Sequence, residues 1–211
     1  MQILPVQSLR RARDLAHLRG VVLAGEDARG LAPPGFEFTN TPIDFLGRDL
    51  SGKRVVLCST NGTRVLSRLH SSCRVSIGAL VNASAAASEA LAYARQGGAP
   101  LGIVCCGFQG RFGIDDAVGA GQIIETVLSL ASAGAISVEL SESAAAVRRL
   151  RRSYTDLREP LAASLSGKRI LLQCLDQELE YCAQVDASRL VPIVHRRLTG
   201  LAIAPTRGRG R

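Results

Sequence analysis

Short apolar runs alternate with segments of helical periodicity along most of this chain, and this alternation constrains the fold more than any other feature. The runs are rich in Val, Ile and Leu, as strands buried on both faces are. Strands that alternate with helices predict a three-layer α/β/α sandwich with a mainly parallel or mixed central sheet. The predicted strands are ILPV (3–6), VVLA (21–24), RVVLC (54–58), VSIGALV (75–81) and GIVCC (102–106).

Helix signals fill the intervals between these runs. Ser8 can cap a helix, Gly97 and Gly98 can end one, and Asp115 with Asp116 stands at the start of a long apolar period. The pattern therefore predicts helices at about 9–18, after 63, from 82 or 84 to 97, after 115, within 142–165, and at 176–185. RILLQC (169–174) fits a strand or a helix, and residues 190–194 are expected to close the fold. Residues 28–45, with three prolines, are expected to form an irregular loop.

The length of 211 residues favours one domain at 1–204, followed by a disordered Arg/Gly tail at 205–211. No apolar run reaches the roughly 18 residues needed to span a bilayer. The first residues lack the pattern of a signal peptide, so we expect a cytoplasmic protein without a membrane segment.

Six cysteines occur at positions 58, 73, 105, 106, 174 and 182, and their spacing matches neither CxxC nor a zinc site. Without an export signal we expect them to be reduced and buried, with Cys105 and Cys106 inside a strand.

The formal net charge is +8, and arginine supplies nearly all of the positive charge because Lys53 and Lys168 are the only lysines. Aromatic residues make up only 4% of the chain, Trp is absent and no nucleic-acid recognition motif occurs. We therefore expect a solvated arginine-rich face and small anionic ligands rather than a nucleic-acid partner.

The segment STNGTR (59–64) follows the strand RVVLC and allows two interpretations. Asn-Gly permits positive φ, so backbone N–H groups can converge on an anion, with Arg64 as a planar two-donor fork. The alternative is a helix-capped turn with a solvated arginine. The first interpretation makes Ser59, Thr60, Asn61, Gly62 and Thr63 substrate-binding residues.

The segment GFQGRFGIDD (107–116) repeats this composition and adds two carboxylates. Carboxylates beside anion-binding groups suggest a hard cation such as Mg²⁺, with Glu26 and Asp115 as metal ligands. The alternatives are N-capping for Asp115 and surface solvation for Glu26. Gly110 and Asn82 are assigned to substrate binding, since all these loops are expected at the carboxyl ends of strands, where ligands bind in such sheets.

Five segments in the same order resemble the 2-phosphosulfolactate phosphatases over nearly the whole chain. They are GED…PPGFEFTNTP (25–42), STNGTR (59–64), GALVNASA (78–85), GFQGRFGIDDAVGAG (107–121) and EYCAQVD…VP (180–192). The resemblance implies a three-layer α/β/α fold and a Mg²⁺-dependent hydrolase of coenzyme M biosynthesis that converts 2-phospho-3-sulfolactate to 3-sulfolactate and phosphate. It also implies catalytic roles for Arg64, Arg111 and Asp116.

The chain departs from the family pattern at its start. The family has an earlier strand ending in a motif like D-x-L-R-A-[ST], and this sequence begins at the equivalent of the second strand. We interpret this either as a start codon assigned too late or as a truncated, inactive anion-binding relative; a phosphatase for another small anionic phosphoester is a further alternative. An exposed sheet edge left by the missing strand would favour homo-oligomers.

Overall fold

A computed structural model describes residues 1–27, 29–69, 74–197 and 200–205. The chain divides into two compact units. The first, here called the sheet unit, comprises Met1–Val75 and Pro192–Arg211, and the second, the helical unit, comprises Ser76–Val191. The prediction of one domain at 1–204 stays a prediction, and residues 206–211 of the predicted tail lie outside the described residues.

The sheet unit holds a mixed sheet of five strands. Its strands are β1 (Gln2–Val6), β2 (Val21–Gly25), β3 (Arg54–Cys58), β4 (Pro192–Arg197) and β5 (Gly200–Pro205). The order is β2-β3-β1-β5-β4, in which β3 pairs in parallel with both β1 and β2. β5 pairs antiparallel with β1 and β4. The predicted α/β class with a mixed sheet is confirmed, and the first three predicted strands are found within one residue of their expected positions.

Helix α1 (Leu9–Asp14) covers one face of this sheet. Ser8 accepts a hydrogen bond from the backbone N–H of Arg11 at 3.2 Å, which caps the helix as expected. Ala12 is completely buried in a cluster with Val6, Leu23, Phe36, Val56 and Cys58. The small Ala12 side chain lets the helix backbone pack close to the sheet, so this face of the parallel strands is shielded from water. Two further short helices belong to this unit, α2 (Pro42–Phe45) and α3 (Gly62–Arg68).

The helical unit consists of a 3-10 helix at Leu80–Asn82 and six α-helices. These are α4 (Ala83–Gly97), α5 (Ile114–Ala133), α6 (Glu142–Arg152), α7 (Arg158–Ala163), α8 (Leu165–Leu172) and α9 (Asp176–Ala183). Helix α5 packs against α4 through Ala87 and Ile123, and against α7 and α9 in a second cluster around Val118. A Cβ on Gly121 would lie 2.5 Å from the carbonyl oxygen of Val147, so glycine sets the close approach of α5 and α6.

Two predicted strands are wrong. Residues 75–81 contain only a single bridge residue, Ser76, before the 3-10 helix, and residues 102–106, all of them described, form no strand. Ile103 and Val104 are 37% and 58% exposed. An apolar run becomes a strand only where a neighbour completes its hydrogen-bond ladder, and sequence pattern does not report that neighbour. RILLQC, which fitted either element, lies mostly in helix α8.

The cysteines are free thiols at positions 58, 105, 106, 174 and 182, and Cys73 lies outside the described residues. The prediction that they are buried holds for Cys58 but is wrong for Cys105 and Cys174, which are exposed. The exposure of Cys105 follows from the absence of the strand that was expected to bury it.

Candidate functional site

In the sheet unit, Glu26 and Ser59 follow the carboxyl ends of two neighbouring strands. Gly25 at the end of β2 is paired in register with Cys58 at the end of β3, so the next residues emerge at the same edge, as predicted. Burial, together with the negative charge of Glu26, raises the pKa of the Cys58 thiol. Glu26 is therefore near the start of the STNGTR segment.

Ser59 and Thr63 hold the start of helix α3 by reciprocal hydrogen bonds. The backbone N–H of Thr63 donates to Oγ of Ser59 at 3.2 Å, and the hydroxyl of Thr63 donates to the carbonyl of Ser59 at 2.8 Å. Thr63 is buried, whereas Thr60 and Arg64 are exposed. Ser59 and Thr63 thus form the helix-capped turn of the alternative interpretation, while Thr60 and Arg64 face solvent.

The expected positive φ at Asn61-Gly62 is wrong. Asn61 has φ −113°, and Gly62 lies outside the left-handed region. The two Ser59–Thr63 hydrogen bonds impose a right-handed helical start on the intervening residues. The segment therefore presents helix-start N–H groups and Arg64 rather than a concave loop of glycine-dependent N–H groups.

In the helical unit, the segment before helix α5 contains a tight hairpin turn. The backbone N–H of Phe108 donates to the carbonyl of Arg111 at 3.1 Å, and that of Arg111 donates back at 3.0 Å. Gln109 and Gly110 have φ of 52° and 79°, the pattern of a type I′ turn. The turn fixes Arg111 at an exposed position, so this loop is preorganised rather than flexible.

Asp116 lies in the first turn of helix α5 and contacts the segment that precedes the hairpin turn. Its carboxylate accepts hydrogen bonds from the backbone N–H groups of Cys106 at 3.2 Å and Gly107 at 2.9 Å. Burial, and then the charge of Asp115, raises the pKa of Asp116, while these two hydrogen bonds oppose the shift. The two hydrogen bonds therefore fix the orientation of the Asp116 carboxylate.

The two carboxylates converge beside Gly113, which is the N-cap residue of α5. A Cβ on Gly113 would lie 2.7 Å from Oδ2 of Asp116 and 2.8 Å from Oδ1 of Asp115. Because both oxygens are close to the same Cβ position, they lie no farther from each other than the sum of these two distances. Because Gly113 occupies the cap position, N-capping by Asp115 does not explain the pair, although both charges complement the helix dipole.

The pair fits a divalent cation of the kind that keeps several waters. Across the part of the chain that the structure describes, no three His, Cys, Asp or Glu side chains group together as a metal site. Mg²⁺ is commonly held by one or two carboxylates, with substrate phosphate and water completing the octahedron. Two neighbouring carboxylates are compatible with such a site, and the assignment of Asp115 and Glu26 as Mg²⁺ ligands stays a prediction.

Asn82 is engaged in structural hydrogen bonds. Its amide donates to the carbonyl oxygens of Ile77 at 3.1 Å and Leu190 at 2.9 Å, and its Oδ1 accepts from the N–H of Ala79 at 2.8 Å. Both amide donors are used within the helical unit. Asn82 therefore links its own 3-10 helix to the segment before it and to Leu190. In this conformation its side-chain amide has no N–H group left to donate to a substrate, as the predicted role in substrate binding would require.

Sequence reasoning missed the role of Asp186. Its carboxylate accepts from the backbone N–H of Ser84 at 2.7 Å and from the Ser84 hydroxyl at 2.6 Å, which satisfies the start of helix α4. Asp186 adopts φ 60° to do so. The two residues are 102 positions apart, so no local sequence signal marks the contact.

The chain thus combines a mixed α/β fold with an arginine-bearing helix start in the sheet unit and, separately, a pair of carboxylates at a helix start in the helical unit. The chain belongs to the 2-phosphosulpholactate phosphatase family, whose model matches residues 1–197. It is 38% identical over 173 residues to a protein of Deinococcus radiodurans named "Probable 2-phosphosulfolactate phosphatase", covering 82% of this chain and 68% of that protein.

Other relatives carry the same name. A protein of Thermus thermophilus is 34% identical over 182 residues, covering 84% of this chain and 72% of the relative. One of Carboxydothermus hydrogenoformans is 31% identical over 206 residues, covering 98% and 82%. In the described residues, no helix combines the length and apolar character needed to cross a membrane.

Proposed function

We propose that this protein is a phosphoric monoester hydrolase that converts 2-phospho-3-sulfolactate and water to 3-sulfolactate and phosphate. Its membership of the family, over residues 1–197, is the observation that carries the proposal. The relatives named for this activity align with most of the chain. Coenzyme M biosynthesis and a cytoplasmic location belong to the same proposal and stay predictions.

The carboxylate pair of α5 supports a metal-dependent reaction. When bound, Mg²⁺ would neutralise phosphate oxygens and orient the ester for attack by water. Asp115 and Asp116 would hold the ion. The hydrogen bonds from Cys106 and Gly107 keep Asp116 in one orientation, so that this carboxylate is positioned before a ligand arrives.

Arg64 and Arg111 are the proposed anion-binding side chains. Both are exposed, and each is held at its backbone by local hydrogen bonds, Arg64 in the first turn of α3 and Arg111 in the hairpin turn. A guanidinium can bind phosphate, sulfonate or carboxylate through two parallel hydrogen bonds. The substrate carries all three groups, so either arginine has a matching partner on it.

Release of inorganic phosphate from 2-phospho-3-sulfolactate, with and without Mg²⁺, tests the proposal. Asp115→Asn and Asp116→Asn are expected to lower kcat/KM by about 100-fold, because each removes charge that holds the cation. Asp14→Asn is the matched control, since Asp14 is an exposed carboxylate at the end of α1.

Two outcomes would contradict parts of the proposal. If neither the removal of Mg²⁺ nor the substitution Asp115→Asn changes the rate of phosphate release, the metal assignment is wrong. A folded protein that is stabilised by sulfolactate and phosphate, but releases no phosphate from the ester, would instead be a noncatalytic anion-binding relative.

A further inference from the structure

The carboxylate pair borders a cavity of about 270 Å³ within the helical unit. Helix α5 contributes Gly119, Ala120 and Ile123 to its wall, and helices α7 to α9 contribute mainly apolar side chains opposite. We call this cavity the apolar pocket and define it by Gly119, Ile123, Leu161, Ile170, Leu179 and Cys182, with Asp115 and Asp116 at its polar side.

The charge of the lining restricts what can bind there. Among the described residues that form the wall, the only charged ones are Asp115 and Asp116, and none is Arg, Lys or His. Sulfonate and carboxylate groups would enter this space without a cationic side chain to meet them. An uncharged hydrocarbon group is the complementary occupant, since it gives up no hydrogen bonds on leaving water and gains contact with Ile123, Ile170 and Leu179.

We propose that the apolar pocket binds the alkyl or aryl part of a phosphomonoester whose phosphate lies at the Asp115–Asp116 pair. This rests on the proposed phosphatase function and extends its substrates to monoesters of apolar alcohols. In the reaction, the oxygen of water forms a bond to phosphorus and the ester P–O bond breaks. The departing alcohol oxygen takes a proton from the same water, which yields the alcohol and inorganic phosphate.

Substitution of Gly119 by a larger residue is expected to fill part of this pocket. Gly119 lies within helix α5, it lines the pocket, and a Cβ added to it would meet no atom within 4 Å. Gly119→Leu therefore directs a side chain into open space and also raises helix propensity, so the variant is expected to fold. Gly97→Leu is the matched control, because Gly97 is an exposed residue at the end of α4, outside the pocket.

The test compares methyl, propyl and pentyl phosphate as substrates in the presence of Mg²⁺. Each buried methylene should raise kcat/KM by roughly fourfold, so pentyl phosphate, with four more methylenes than methyl phosphate, should exceed it by up to about 250-fold. Gly119→Leu should reduce the pentyl-to-methyl ratio toward one, while Gly97→Leu should keep the wild-type ratio. A wild-type ratio near one, or an unchanged ratio in Gly119→Leu, would overturn the proposal.

Binding of phenylphosphonate, measured by calorimetry with Mg²⁺ present, separates this proposal from the proposed function. If no ester is cleaved, including 2-phospho-3-sulfolactate, the phosphatase assignment fails. Phenylphosphonate affinity that falls about tenfold in Gly119→Leu but not in Gly97→Leu would still support the apolar pocket as the binding site. No binding, or equal binding by both variants, would refute it.

Discussion

The carboxylate of Asp116 accepts a hydrogen bond from the backbone N–H of Gly107 at 2.9 Å, which ties helix α5 to the segment before the hairpin turn. Gly107 has φ 65°, and a Cβ there would lie 2.4 Å from the carbonyl oxygen of Arg111. The turn therefore folds back over Gly107 so closely that only glycine fits. One residue serves both the turn and the orientation of Asp116.

Gly107→Ala is expected to destabilise the protein more than Gly110→Ala. Both residues have positive φ, which costs roughly 1–2 kcal/mol for alanine, but only Gly107 adds a backbone clash. The free energy of unfolding from urea titration should fall by about 3 kcal/mol or more in Gly107→Ala. Gly62→Ala is the control, since its Cβ would lie 3.6 Å from Ser59 Oγ in ordinary contact. Equal stability of Gly107→Ala and Gly62→Ala would contradict the described turn.

Asp115→Asn is expected to lower the pKa of Asp116. Burial raises that pKa most and the Asp115 charge adds to it, so removing the charge leaves the effect of burial opposed by the two backbone hydrogen bonds. The folded state holds the Asp116 proton more tightly than the unfolded state, so this group stabilises the fold at low pH and the benefit is lost as the pH rises through the raised pKa.

Carbon-13 NMR titration of the Asp116 carboxyl measures this shift directly. The titration midpoint should move down in Asp115→Asn and stay in place in Asp14→Asn, whose side chain lies in the other unit. A midpoint that stays unchanged in Asp115→Asn would show that the two carboxylates do not interact.

The sheet and the site differ in how far the sequence could predict them. Strands β1 to β3 were predictable because a helix or loop signal follows each apolar run. The run GIVCC is also apolar, yet it pairs with none of the strands in the described part of the chain and stays out of the sheet. Strand β5, GLAIAP, carries weak β-propensity and exists because β4 pairs along its whole length.

Within the site, residue types were predictable but their partners were not. The position of Asp115 and Asp116 at a helix start followed from the sequence and is confirmed. The hydrogen bonds of Asp116 to Cys106 and Gly107 depend on a tight turn whose geometry only the fold reveals. The same holds for Asn82, whose amide is used by Ile77 and Leu190.

Asp186→Ala is expected to lower the free energy of unfolding by about 1–2 kcal/mol, in the range of a lost helix cap. The change leaves the N–H and hydroxyl of Ser84 without their acceptor and places alanine at φ 60°. Asp186→Asn should retain most of the stability, since Asn tolerates this φ and keeps an acceptor oxygen. Thermal unfolding by circular dichroism distinguishes them, with Asp14→Ala as the control; equal melting temperatures for all three would refute the capping role.

Cys182 is expected to resist alkylation at neutral pH. Burial, with a further contribution from the charge of Glu178, raises the pKa of Cys182 to about 11. At pH 8 only about one thiol in a thousand is then the reactive thiolate. Because the folded state keeps the proton, this thiol stabilises the fold below its ordinary pKa, and the benefit is lost as the pH rises through the raised value.

Iodoacetamide labelling followed by peptide mass spectrometry measures this difference against the exposed Cys174. In the native protein, Cys174 should be modified first, and the rate at Cys182 should rise about tenfold per pH unit between pH 8 and 10. In urea the two thiols should react at similar rates, because unfolding removes the burial. Rapid labelling of native Cys182 at pH 8 would contradict the raised pKa of its thiol.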